Sequence, residues 1–192
     1  IEPGHFRFNV RGERIITLEA KLFFKHKGVE KLLEGKRPEE ALPLIERVSL
    51  DMAVAHALAY VQAVEQVADA EIPIRALYLR TLYNELERIT MHLFDIGNMA
   101  GMGTGFTFMA AQGFRLVEVM RRLNASLTGH RFLRGAIVLG GAHDLDAEKL
   151  AAIRTTLDMI EKEIDAIVGI AYSSDGLMER LETTGRLSKE AA

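Results

Sequence analysis

The apolar positions of this chain change period near residue 28. Before it, residues 5–10 (HFRFNV) and 14–24 (RIITLEAKLFF) alternate or cluster β-branched and aromatic side chains on either side of Arg11-Gly12-Glu13. That is the pattern of two strands joined by a tight turn, and it predicts a small antiparallel hairpin within residues 1–27. From Gly28 onward the spacing becomes helical, and four long segments follow with Gly, Pro and Asp as punctuation. Residues 28–192 are therefore expected to form one helical bundle.

The first long segment, residues 49–69, is apolar nearly all round, with Met52, Ala55, Leu58, Ala59, Val61, Ala63, Val64 and Val67. Such a helix is expected at the centre of a bundle. The second starts after Pro73, a favourable first-turn residue. It carries Leu79, Leu82, Leu86, Ile89, Leu93, Ile96 and Ala100 at alternating spacings of three and four, a continuous apolar seam. The third, residues 104–127, presents Phe106, Met109, Gly113, Val117, Met120 and Leu123 on one side and leaves Arg115, Glu118, Arg121 and Arg122 to water. The fourth begins at an N-cap near Asp144 or Asp146 and repeats the seam with Leu150, Ile153, Leu157, Ile160, Ile164, Ile167 and Ala171. Seams of this length on consecutive helices predict shallow crossing angles. The segment RFLRGAIVLGG, residues 131–141, reads as an ordered loop. The predicted fold is mainly α, a multi-helix bundle with a small N-terminal antiparallel β-hairpin.

Composition removes several functions. Lys and Arg number 24 against 27 Asp and Glu, a formal charge of −3, with no basic patch of the kind that binds nucleic acid. There is no cysteine, which excludes disulfides, thiolate metal sites and cysteine nucleophiles from this chain. The longest apolar run, residues 52–61, is interrupted by His56 and falls well short of the about 20 residues that span a bilayer. Any membrane association is expected to come through partners. The chain opens on Ile1 and reads as a fragment or processed segment.

Candidate chemistry is concentrated on the second long helix. Glu85, Arg88, His92 and Asp95 recur at spacings of three, four and three, which places them on one stripe beside the apolar seam. Exposed, the stripe is a solvated salt-bridge face worth a few tenths of a kcal/mol per pair. Buried, its members must partner one another, because an unpaired charge is costly in the interior. A structural or proton-conducting network suits these residues better than a metal site. His56 lies within the most apolar segment, where a satisfied core histidine is the ordinary reading. Gly101, Gly103 and Gly105 follow a helix and not a strand, so they indicate a helix break and not a dinucleotide loop. Ser126, Ser173 and Ser174 have no His–Asp arrangement near them in sequence.

Three stretches carry a family resemblance: IEPGHFRFNVRGER, then KGVEKLLEGKRPEEALPLIERV running into AHALAYVQAVE, and LRTLYNELERITMHLFDIGNMA. Together they resemble signature regions of the large subunits of membrane-bound nickel–iron hydrogenases of the formate-hydrogenlyase type, and of the homologous quinone-site subunit of respiratory complex I. RFLRGAIVLGG extends the likeness toward residue 141. The resemblance implies that this chain is a piece of the hydrogenase large-subunit fold.

In hydrogenases of that family, a Cys-x-x-Cys pair and a histidine follow the counterpart of Glu46-Arg47-Val48. Here Ser49 and Met52 fall on the cysteines and His56 on the histidine. Nickel–iron centres are held by soft anionic sulfur, which neither a hydroxyl nor a thioether replaces. The family's second cysteine pair lies beyond residue 192. Likeness to the complex I protein implies a quinone cavity with a hairpin histidine and a tyrosine, but His5 does not fall on that histidine, and Leu50 or Asp51 stands where the tyrosine belongs. Glu30, beside Lys31, is an exposed helix glutamate on its residues alone. The resemblance places it on the family's proton-gate glutamate, a role that depends on a carboxyl pKa raised by desolvation. It also favours the buried-network reading of Glu85, Arg88, His92 and Asp95.

The implied parent is a membrane-associated, energy-converting oxidoreductase complex, with an iron–sulfur small subunit and membrane subunits as partners. It would sit on the cytoplasmic face of the inner membrane and lack nickel-based hydrogen chemistry. Glu30, His56 and His92 are the proton-relay or cavity candidates. No cofactor is expected in this fragment, although relatives use nickel–iron or quinone, and the isolated chain is expected to be inactive and to self-associate. Two other functions stay open: an active hydrogenase subunit with ligands from elsewhere, and a non-catalytic scaffold docking an iron–sulfur subunit.

Overall fold

The computed structural model describes residues 3–190. The chain divides into two compact units, Ile1–Lys36 and Arg37–Ala192. In the first, strands β1 (His5–Arg11) and β2 (Arg14–Lys21) pair antiparallel, with Phe8 opposite Leu18 and Arg11 opposite Arg14. Gly12, at φ 61°, supplies the left-handed backbone that a two-residue hairpin turn needs. A register irregularity at Asn9/Val10 offsets the ladder, and a single helical turn, α1 (Val29–Leu33), follows.

The second unit is helical. It comprises α2 (Pro38–Ile45), α3 (Ala53–Val67), α4 (Ile74–Asp95), α5 (Thr107–Thr128), α6 (Ala147–Tyr172) and α7 (Asp175–Leu181). A two-residue ladder of β3 (Ile137–Val138) and β4 (Gly141–Ala142) lies in the loop between α5 and α6. The seams expected on α4, α5 and α6 meet in one core, which includes Leu79, Leu86, Leu93, Met109, Val117, Met120, Leu123, Ile153, Ile160 and Ile167. Asp146 caps α6, its carboxylate accepting from the backbone N–H of Lys149 at 2.8 Å. Among the described residues, no helix is long and apolar enough to cross a membrane.

The structure corrects two expectations of detail. The central helix is α5, and α3 buries only the stripe Ala53, Val54, Ala57, Val61 and Glu65 while Val67 is 90% exposed. Apolar composition all round overstated the burial of α3 because small alanines are tolerated on either face. The glycine cluster also does not break α4 at Gly101. The helix widens into a π-helical segment, Ile96–Gly103, and the turn comes at Gly105, φ 82°. Gly97 and Gly101 permit close approach to α5: a Cβ on Gly101 would lie 2.3 Å from the Ala110 nitrogen.

Candidate functional site

The segment 46–52 enters α3 through a junction built by side chains from other elements. The Glu87 carboxylate on α4 accepts from the backbone N–H groups of Val54 at 2.7 Å and Ala55 at 2.9 Å. These belong to the first turn of α3, whose N–H groups have no intrahelical acceptor, so Glu87 caps the helix from outside its own sequence. Glu87 is 6% exposed. Desolvation pushes its carboxyl up to about 7, and the nearby Asp51 charge adds to this, while the backbone donors of Val54, Ala55 and Ala53 oppose it.

The loop after α5 closes the other side. Gly135 donates its N–H to the Glu46 carboxylate at 2.6 Å, and an Arg134 Nη donates to the Leu50 carbonyl at 3.5 Å. Burial raises the Glu46 pKa against the lowering effects of the Gly135 N–H, Arg47 and Arg134. Phe132 lies beneath two guanidinium groups, Arg121 at 5.0 Å and Arg134 at 5.8 Å from its ring centre. Arg121 also approaches Asp51 at 3.8 Å. Asp51, Glu87, Thr90, Asn124 and Arg131 are the polar lining of a cavity of about 10 Å³ here.

A second buried polar group lies at the other end of α3. Arg80 on α4 donates to both carboxylate oxygens of Glu65 and to the carbonyls of Val138 and Gly141, and Gly140 donates its N–H to Glu65. The Arg80 hydrogen bonds, more than burial opposes, hold the Glu65 carboxyl below its ordinary range. Tyr83, between the two groups on α4, is fully buried and donates its hydroxyl to the His143 carbonyl at 3.1 Å.

The residues singled out in the sequence are distributed as follows. Ser49 is half-buried and Met52 is 42% exposed, both on the segment leading into α3. His56 is half-buried one turn into α3, its backbone N–H donating to the Met52 carbonyl at 3.4 Å, and it does not line the Glu87 cavity. Glu30 is on α1 in the other unit, its side chain 86% exposed and 3.9 Å from His26. On α4, Arg88 pairs with Glu85, while Arg88, His92 and Asp95 are exposed in this chain.

The buried polar stripe of α4 is a different one. Arg80, Tyr83, Glu87 and Thr90 share the three, four, three spacing of Glu85, Arg88, His92 and Asp95 but are 2%, 0%, 6% and 6% exposed. The signal that could have found it is Glu87 immediately after the seam residue Leu86, in register with Arg80 and Tyr83.

Residues 27–101 match the family described as nickel-dependent hydrogenase. The chain is 34% identical over 193 residues to formate hydrogenlyase subunit 5 of Escherichia coli, a match covering 100% of this chain and 34% of that protein. It is 29% identical over 195 residues to an NADH-quinone oxidoreductase component of Dehalococcoides mccartyi, covering 98% of this chain and 52% of the relative. A chain in the structure of the membrane-bound sulfane sulfur reductase, an archaeal respiratory membrane complex, superposes with a TM-score of 0.83 at 26% identity, covering 97% of this chain and 50% of that one. This chain is similar to the nickel-dependent hydrogenase family over residues 27–101. It spans 34% to 52% of the length of these curated relatives, and its mainly helical fold with an N-terminal hairpin matches half of the sulfane sulfur reductase chain.

Against that family, the donor set at the entrance to α3 does not fit nickel. Ser49 and Met52, which the resemblance places on the family's first cysteine pair, offer a neutral hydroxyl and a thioether, whereas nickel–iron centres take soft anionic thiolates, and the sequence has no cysteine. The ionisable side chains at this entrance are Glu87 and Asp51, with Glu46, Arg121 and Arg134 around them.

Proposed function

We propose that this chain is part of the large subunit of a membrane-associated, energy-converting oxidoreductase complex that does no hydrogen chemistry at nickel. The parent passes electrons from an iron–sulfur partner subunit to another acceptor, and membrane subunits couple that transfer to ion movement. A quinone is the acceptor class suggested by the NADH-quinone oxidoreductase relatives. What supports this reading is that Ser49 and Met52 fall where the family resemblance implies its first cysteine pair, in a chain similar along its own length to formate hydrogenlyase subunit 5. The chain holds no metal of its own, and it sits on the cytoplasmic face of the membrane through its partners.

In this reading Glu30, His56 and His92 contribute to a proton path or cavity in the assembled complex. The stripe of Glu85, Arg88, His92 and Asp95 forms its polar network with groups supplied by the remainder of the complex. The test is electron transfer in the intact complex purified from membranes. Glu30→Gln and His92→Ala are expected to lower turnover with the physiological acceptor while leaving subunit composition unchanged. Unchanged turnover in both variants would favour the scaffold function and count against this one.

A further inference from the structure

We propose that the cavity between α4, α5 and the loops that precede α3 and follow α5 is a binding site for one internal water molecule, which donates to Asn124 Oδ1 and to the Glu87 carboxyl and gives Glu87 proton exchange with solvent. The inference goes beyond the function proposed above and holds whichever acceptor the complex uses.

Asn124 is 2% exposed, and its amide orientation is fixed because Nδ2 donates to the Arg131 carbonyl at 3.4 Å. Its Oδ1 therefore faces away from that carbonyl, and it is buried without a protein donor among the described residues. A buried carbonyl oxygen left unpaired costs about 1–3 kcal/mol, so such atoms in folded proteins are met by protein or water. Asn124 lines the cavity of about 10 Å³ shared with Glu87 and Thr90. That is close to the about 10–15 Å³ that one water occupies, and a stable internal water needs two to four polar partners. Asn124 Oδ1 and the Glu87 carboxylate accept its two protons. The Thr90 hydroxyl, which lines the same cavity, is committed as a donor to the Leu86 carbonyl at 2.7 Å.

The site reaches solvent on one side. Two of its lining side chains, Asp51 and Arg131, are 23% and 46% exposed. The charged groups around Glu87 are thus Asp51 on the loop before α3, Arg121 on α5 beside Asp51, and Arg131 on the loop after α5, whose guanidinium is engaged by Glu118. None of these three is a direct hydrogen-bond partner of Glu87, which takes its protein donors from the first turn of α3. When Glu87 is protonated its O–H donates to the water oxygen, and proton exchange passes the carboxyl proton to that water as one water proton passes to bulk solvent on the Asp51–Arg131 side, leaving a neutral water. No net charge remains in the cavity beyond that of the carboxylate formed.

The test is infrared titration of the full chain, with the carboxyl band of Glu87 assigned through Glu87→Gln. Asn124→Leu fills the site and removes the acceptor. It is expected to raise the Glu87 midpoint by about one pH unit, a tenfold gain in proton affinity, and to slow hydrogen–deuterium exchange of the carboxyl. Asn124→Ala enlarges the site and is expected to lower the midpoint, since more water reaches the carboxylate. Opposite shifts in the two variants support the site. A midpoint and exchange rate unchanged in either folded variant would overturn it, as would a crystal structure with ordered solvent elsewhere and none within hydrogen-bonding distance of Asn124 Oδ1.

Discussion

Arg80 on α4 and Glu65 on α3 form a two-pronged ion pair, with nitrogen–oxygen distances of 2.8 and 2.6 Å and side chains only 3% and 8% exposed. The planar guanidinium matches both carboxylate oxygens at once, and its remaining N–H groups reach the carbonyls of Val138 and Gly141. One residue pair therefore fixes α3, α4 and the β3–β4 loop together. Replacing Arg80 with Met leaves a buried carboxylate without its partner, and the expected loss of stability is about 3–5 kcal/mol. Pairing it with Glu65→Met is expected to recover most of that loss. Denaturant unfolding of the two single variants and the double variant measures both, and strictly additive losses would contradict a coupled pair.

Glu87 makes stability depend on pH in a defined direction. Its carboxyl is raised from 4.5 to about 7 in the folded chain, so between these values the folded state holds a proton that the unfolded state has released. Its contribution is complete below pH 4.5 and is lost as pH rises through about 7, an effect of about 3 kcal/mol for a group so deeply buried. Glu46 is raised in the same sense, whereas Glu65 is lowered and acts at lower pH. Unfolding of the parent chain and of Glu87→Gln across this window should show a shallower slope in the variant. Equal slopes would mean that Glu87 is ionised throughout.

The π-helical segment and α5 touch through glycine. A Cβ on Gly101 would meet the Ala110 nitrogen at 2.3 Å and its Cα at 2.5 Å, whereas on Gly103 the nearest atom is the Asn98 carbonyl oxygen at 3.6 Å. Gly101→Ala is therefore expected to cost about 1–3 kcal/mol by overpacking. Gly103→Ala is expected to be neutral or stabilising by up to about 1 kcal/mol. Thermal melts of the two variants provide the comparison, and equal effects would show that the glycines serve backbone freedom alone.

At the start of α6, the Asp146 side chain meets the Lys149 N–H at 2.8 Å. Asp146→Ala should lower stability by about 1 kcal/mol, and Asp146→Ser should restore most of it. Failure of serine to rescue would point to the charge of Asp146 and not to its hydrogen bond.

Much of this architecture is legible in the sequence because it rests on local periodicity. The hairpin over residues 5–21, the seams of α4, α5 and α6, and the Asp146 cap all follow from residues close to one another in the chain. The polar interior does not. Glu85, Arg88, His92 and Asp95 share their spacing with Arg80, Tyr83, Glu87 and Thr90, and spacing alone cannot say which stripe faces α3 and α5. That choice is made by tertiary partners distant in sequence, namely Glu65 for Arg80, the Val54 and Ala55 N–H groups for Glu87, and His143 for Tyr83. Asn124 gave no sequence signal, since a lone asparagine in a helix is normally read as surface. The widening of α4 into a π-helix was hidden because Gly97 and Gly101 act through contact with α5 and not through local propensity.

We propose that the entrance to α3 does not hold nickel, since Ser49 and Met52 stand where the family resemblance implies thiolates. The most direct test is the nickel content, by inductively coupled plasma mass spectrometry, of the intact membrane complex containing this chain, grown with nickel in excess. The account predicts nickel no higher than in a complex carrying Ser49→Ala and Met52→Leu. One nickel per copy of the chain, lost in that double variant, would contradict it.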